Sequence, residues 1–159
     1  MADYVVITPV RNEAQHFPHT IASMVAQTLR PLRWVIVDDS SSDGTGVVAD
    51  QASRAHDWIQ AVHRPDRGGG RRPGAGVIEA FYDGFTQLGA TNWEFIVKLD
   101  GDLSFEPDYF DRLLTQFRRN SRLGIASGVY CERARNCLLY TSDAADDLLC
   151  VDLGGRRII

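Results

Sequence analysis

At 159 residues, 44% of them hydrophobic, the chain is long enough to bury one real core and too short to expect two domains. Its formal charge of −4 excludes the basic face on which duplex nucleic acid binds, so no nucleic-acid partner is expected. No apolar run approaches the roughly 20 residues of a membrane span, and "MADYVVITPV" lacks the basic start and long apolar stretch of a secretory signal.

Short valine- and isoleucine-rich runs alternate with stretches of helical periodicity, the pattern of parallel βαβ units covered on both faces. Residues 4–8 ("YVVIT") read as the first strand. Over residues 18–28 the apolar Ile21, Met24 and Val25 recur at helical spacing. Residues 34–37 in "RWVIVDD" give the second strand, and "DGTGVVADQASRA" a helix entered through Asp43 as N-cap. A third strand is expected over residues 59–63 and a helix over 77–88. A fourth strand over 95–99 is followed by a helix over 107–120 with proline near its first turn. A fifth strand is expected over 125–130. Cys131, Cys137 and Cys150 form no CxxC pair, which points to neither a zinc site nor a disulfide framework.

In such sheets ligands bind beyond the carboxyl ends of the strands, near the point where strand order reverses. Four post-strand segments are therefore the candidates: residues 9–13 ("PVRNE"), 38–45 ("DDSSSDGT"), 63–76 ("HRPDRGGGRRPGAG") and 100–102 ("DGD"). In the last, Asp100 and Asp102 occupy alternate positions of an extended segment, so both carboxylates can face one ligand, and Gly101 lets the backbone turn. Two hard oxygen donors suit Mg²⁺ or Mn²⁺ held jointly with phosphates. An isolated Asp-Gly-Asp is as readily an Asx turn or a helix cap.

Asp38 and Asp39 end the second strand. One can accept hydrogen bonds from a base or ribose while the other braces the loop. Adjacent like charges at a buried strand end require a compensating proton, donor or cation. The third segment places Arg64, Arg67, Arg71 and Arg72 among glycines, a composition suited to folding over a diphosphate, and equally to a plain surface loop. As an RGG-like RNA contact it lacks repeats and aromatics. A dinucleotide-binding Rossmann domain needs GxGxxG after its first strand, where this chain has "PVRNE". A nucleotidyltransferase is expected to carry its basic glycine-rich loop at that same place, and here the loop follows the third strand.

The ordered set "VVITPVRNE", "WVIVDDSSSDGT" and "FIVKLDGDLSFEPDYF" resembles the nucleotide-sugar-binding part of family-2 glycosyltransferases of the GT-A fold, over residues 4–130. The resemblance implies a Rossmann-like three-layer α/β/α domain with a mainly parallel sheet, truncated at its C-terminus. It also implies metal-assisted transfer of a sugar from a UDP- or GDP-linked donor, with inversion, to an acceptor that the sequence leaves open. Carried over, Pro9, Arg11 and Glu13 line the nucleotide, Asp39 falls at the base with Asp38 beside it among the nucleotide-binding residues, and Arg71 falls at the diphosphate. Asp100 falls near the ribose and metal, and Asp102 is the expected direct metal ligand. In the family the general base and the acceptor motifs follow the fifth strand, and this chain departs from the pattern beyond Arg135. The base is therefore expected to be absent and the chain inactive alone, or a non-catalytic nucleotide-binding domain. Its expected location is the cytoplasm or the cytoplasmic face of a membrane, with membrane association only through a missing C-terminal part.

Residues 137–159 read "CLLYTSDAADDLLCVDLGGRRII". Its first ten residues, "CLLYTSDAAD", match one frame of a transposon-type sequencing-library adapter, and "VDLGGRRII" matches the flow-cell end of such an adapter. The expectation is a native domain over residues 1–136 and a non-native tail over 137–159 that adds no strand or helix.

Overall fold

The computed structural model describes residues 4–66, 75–89, 92–128, 130–134, 137–141 and 157–158. The elements alternate as the sequence predicts: β1 (Tyr4–Val10), α1 (Phe17–Val25), β2 (Arg33–Asp38), α2 (Thr45–Ala55), β3 (Ile59–His63), α3 (Ala75–Thr86), β4 (Phe95–Lys98) and α4 (Tyr109–Arg119). These are followed by β5 (Tyr130–Ala134), β6 (Cys137–Thr141) and β7 (Arg157–Ile158). The main sheet has the order β3-β2-β1-β4-β7, and every pair in it is parallel.

Alternation along the strands divides the core in two. One set of side chains, including Tyr4, Val6, Trp34, Ile36, Phe95 and Val97, packs against α1, α2 and α4. The intervening set, Val5, Ile7, Val35, Val37 and Ile96, packs against α3. This arrangement follows from the handedness of the crossovers. The chain steps from β1 outward to β2 and β3 with α1 and α2 on one face, then returns past β1 to β4. A right-handed return in the opposite direction puts α3 on the other face. The result is the three-layer α/β/α architecture expected, with the reversal of strand order between β1 and β4.

One buried polar contact joins the two central strands, and a second ties β1 to the loop between α1 and β2. Trp34 Nε1 donates to Thr8 Oγ1 at 2.8 Å, and the Tyr4 hydroxyl donates to the Leu29 carbonyl at 2.6 Å. Burial pushes the Tyr4 phenol far above its ordinary pKa, so it stays a donor at any physiological pH. Pro9 lies inside β1, opposite Val37, but beyond the last β4 pair at Ile7 and Lys98. Its missing N–H is tolerated because β1 has there lost one of its two neighbours.

Three expectations change. Asp43 is not the N-cap of α2: Gly44, at φ 98°, takes that position, because the chain must pass through the left-handed region to enter the helix. Pro107 precedes α4, which starts at Tyr109, rather than lying in its first turn. The fifth strand shifts from residues 125–130 to Tyr130–Ala134 and pairs antiparallel with β6 in a separate two-stranded sheet. Gly128 packs against the Tyr109 ring and donates its N–H to the Tyr109 hydroxyl at 2.9 Å, which takes this segment out of the main sheet. β6 and β7 also fall where no strand was expected. Short stretches such as "CLLYT" and "RI" can pair through their backbone groups with an open β-edge, whatever their origin.

Candidate functional site

The ends of β2, β1 and β4 lie side by side, about 10 Å from the first to the last, and gather three of the four candidate segments. Backbone bonds continue the sheet into them: Asp39 N donates to Val10 O, Arg64 N to Asp38 O, and Leu99 N to Ile7 O, at 2.8–3.0 Å.

The segments after β1 and β2 interlock. Asn12, at φ 56°, donates its N–H to Ser41 Oγ at 3.0 Å, and its side-chain carbonyl accepts the Ser42 N–H at 2.9 Å. Glu13 N donates to Thr45 Oγ1 at 2.8 Å, the Thr45 hydroxyl donates to Asp43 Oδ1 at 2.6 Å, and Ala14 N donates to Asp43 Oδ2. Asp43 thus ties the two loops together as well as receiving Thr45 N. The Thr45 hydroxyl first, and the Ala14 amide next, hold its carboxyl below the ordinary range. Ser40 is the second non-glycine residue in the left-handed region, at φ 59°, and its hydroxyl donates to the Arg64 carbonyl. Backbone strain held by such cross-links is common at binding sites.

The paired aspartates take different roles. Asp38 is buried, with Oδ1 accepting Ser41 N at 3.1 Å and Oδ2 3.1 Å from His63 Nδ1. It braces the loop. Asp39 is partly open, with Oδ1 bonded to Arg64 Nη1 at 2.6 Å and Oδ2 3.7 Å from Arg11 Nη1. Arg64 is the chief cation at Asp39, while Asp38 meets the Ser41 amide and the His63 ring.

That is a change of role for Arg64. Instead of reaching over a ligand, its side chain is 4% exposed and binds Asp39, Glu79 Oε2 at 3.2 Å and Asp83 Oδ2 at 2.8 Å. The last contact, through Nε, lacks hydrogen-bond alignment and is an ion pair alone. Burial by itself disfavours the cation, but Glu79, Asp39 and Asp83 outweigh it and raise the Arg64 pKa. Arg67, Arg71 and Arg72 lie outside the described residues.

At the end of β4, Asp100 and Asp102 are exposed and Gly101 is buried between them. A Cβ on Gly101 would lie 2.5 Å from Val10 Cγ1, so close packing of the turn on β1 demands glycine there. α1 holds the rest. Thr20 Oγ1 donates to Gly101 O at 2.9 Å, Ser23 Oγ accepts Phe105 N at 3.3 Å, and Gln27 Nε2 donates to Glu106 O at 2.8 Å. Thr20 and Ser23 lie about one turn apart on α1, and Gln27 follows its C-cap, Ala26. No pattern in the sequence singles these three residues out. Lys98 Nζ pairs with Asp100 Oδ1 at 2.9 Å. Among the described residues no cluster of three or more His, Cys, Asp or Glu could hold a metal. The two carboxylates of residues 100 and 102 fit a cation that takes its remaining ligands from water and a phosphate.

Comparison with known proteins gives consistent results. The model of Glycosyl transferase family 2 matches residues 5–136. The polyprenol monophosphomannose synthase of Mycolicibacterium smegmatis is 31% identical over 124 residues, 77% of this chain and 44% of that protein. The undecaprenyl-phosphate mannosyltransferase of Micrococcus luteus is 28% identical over 72% of this chain and 44% of its own length. The chain thus spans under half the length of these curated relatives. Among solved structures, a mannosyltransferase from Pyrobaculum calidifontis in complex with GDP-Man and Mn²⁺ superposes with a TM-score of 0.64 at 21% identity, covering 80% of this chain and 36% of that one. S. aureus TarS 1-349 in complex with UDP gives 0.58 at 20% identity, covering 75% and 32%. At these identities the likeness is one of fold.

Proposed function

The chain belongs to glycosyltransferase family 2, and from that premise we propose that the ends of β1, β2 and β4 form the donor site for a nucleoside-diphosphate sugar. The observation that carries this reading is the pairing, across one sheet edge, of an Arg-held acceptor at Asp39 with two exposed carboxylates at Asp100 and Asp102. Asp39 offers carboxylate oxygens to the N–H groups of a base. Pro9, Arg11 and Glu13 border it, and Asp38 fixes the loop that carries it. Asp100 and Asp102 would hold Mg²⁺ or Mn²⁺, which when bound neutralises charge on the diphosphate leaving group. Arg71, in the segment between β3 and α3, is proposed as the arginine facing that diphosphate. A donor held in this way is open to attack from the side opposite the nucleotide, hence inversion. The polyprenol monophosphomannose synthase and the undecaprenyl-phosphate mannosyltransferase that the chain resembles support a mannosyl donor and a polyprenyl-phosphate acceptor. The residue that takes the acceptor proton is not among those assigned.

Calorimetric titration with GDP and UDP tests the reading. Binding of one of them is expected in Mn²⁺ and lost on adding EDTA; absence of both, or binding indifferent to EDTA, overturns it.

Residues 137–159 are proposed to be translated adapter sequence. Their strands β6 and β7 are edge pairings made through backbone groups, which a short stretch of almost any sequence can make. Sequencing the locus from native DNA is expected to show a different reading frame after codon 136, and an uninterrupted match to these residues would sink the proposal.

A further inference from the structure

At the end of β3 the His63 ring lies between carboxylates from two other elements. Its Nδ1 is 3.1 Å from Asp38 Oδ2 on β2, and its Nε2 is 2.9 Å from Asp50 Oδ1 on α2. A carboxylate only accepts hydrogen bonds, so both contacts are satisfied together only when both ring nitrogens carry hydrogen. A neutral ring turns a lone pair onto one carboxylate. The hydrogen bond to Asp50 first, and that to Asp38 second, raise the His63 pKa above its ordinary 6.5 against a smaller effect of burial. The charged groups around the ring are Asp38 from β2, Asp50 from α2 with the Arg54 guanidinium 3.8 Å beyond it, and Arg64, next in the chain, which is committed to Asp39, Glu79 and Asp83.

Asp38 connects this bridge to the site. Its other oxygen receives Ser41 N, and Ser41 Oγ receives Asn12 N, so the carboxylate anchors the clasp between the loops after β1 and β2. The first turn of α2 crowds the oxygen facing His63: a Cβ on Gly46 would lie 2.7 Å from it. That oxygen has little room to turn elsewhere when the ring proton leaves.

We propose that His63 is a positioning residue whose doubly protonated ring holds Asp38, and with it the loop of residues 39–45, in the form that receives the nucleotide. The proposal rests on the donor-site reading above. Because the pKa is raised, the bridge stabilises fully below the ordinary histidine value and is lost as pH rises through the raised one.

The test follows three quantities on the full chain from about pH 6 to about pH 8.5, the range in which a raised histidine titrates. They are the His63 ring by NMR, the protection of the Ser41 amide corrected for intrinsic exchange, and the affinity for GDP and UDP in Mg²⁺. The ring is expected to titrate above 6.5, Ser41 protection to fall through the same midpoint, and affinity to drop roughly fivefold across it. Asp50→Asn is expected to move all three midpoints to lower pH. His63→Gln is expected to remove the step in protection and affinity while the chain stays folded. A ring midpoint at or below the ordinary value, or profiles unchanged in His63→Gln, overturns the proposal. If neither diphosphate binds at any pH, the donor-site reading fails, and the ring titration together with Ser41 protection still decides whether His63 holds the loop.

Discussion

Arg64→Ala is expected to lower the free energy of unfolding by about 3 kcal/mol, near the lower end of the range for breaking a buried ion pair. The guanidinium is 4% exposed and joins carboxylates from two elements, Asp39 after β2 and Glu79 and Asp83 on α3. Removing it leaves those carboxylates without this partner and opens a void beside Asp39. Glu79 and Asp83 are each 47% exposed and can rehydrate, which keeps the loss from the upper end. Arg64→Lys keeps the charge but presents one ammonium instead of a planar fork, so it is expected to recover less than half of the loss. Urea unfolding followed by tryptophan fluorescence measures both. Two variants as stable as the parent would mean that the knot is held by other contacts. In Arg64→Ala the remaining cation at Asp39 among the described residues is Arg11, at 3.7 Å, so nucleotide affinity is expected to fall in both variants, more in Arg64→Ala.

Asp102→Ala is expected to abolish the metal-dependent part of nucleoside-diphosphate binding, about tenfold or more in affinity, with the unfolding midpoint unchanged. The residue is exposed, and surface substitutions ordinarily move stability by no more than about 0.5 kcal/mol. Asp100→Asn provides the comparison. It removes the partner of Lys98 as well as a carboxylate charge, so a stability change there reports the ion pair and a binding change reports the site. Titration with GDP or UDP in Mn²⁺ and again in EDTA separates the effects. Equal affinity of Asp102→Ala and the parent in Mn²⁺ would remove Asp102 from the metal site.

Much of this was legible in the chain itself. The apolar runs "YVVIT", "WVIV" and "FIVK" between helical stretches determined a parallel sheet, because strands covered on both faces must be apolar along their whole length. The charged and small residues that end those runs marked the sheet edge at which the donor site is proposed. Element boundaries and caps were less legible, as at Gly44, because φ at a helix entry depends on how two loops meet.

The partners of the charges at the ends of β2 and β3 were decided only by the tertiary structure. By composition Arg64 was one of four arginines in a glycine-rich segment, yet crossover handedness puts α3 on the face of β1 and β2, where its Glu79 and Asp83 meet the Arg64 side chain. Asp38 and Asp39 were indistinguishable neighbours, but strand alternation turns the first inward to His63 and leaves the second between Arg64 and Arg11. Thr20, Ser23 and Gln27 had no visible role until α1 was laid against the turn after β4. Periodicity and composition are local and survive in one dimension. Which partners Arg64, Asp38 and Asp39 meet is a matter of long-range packing, and their spacing in the sequence does not encode it.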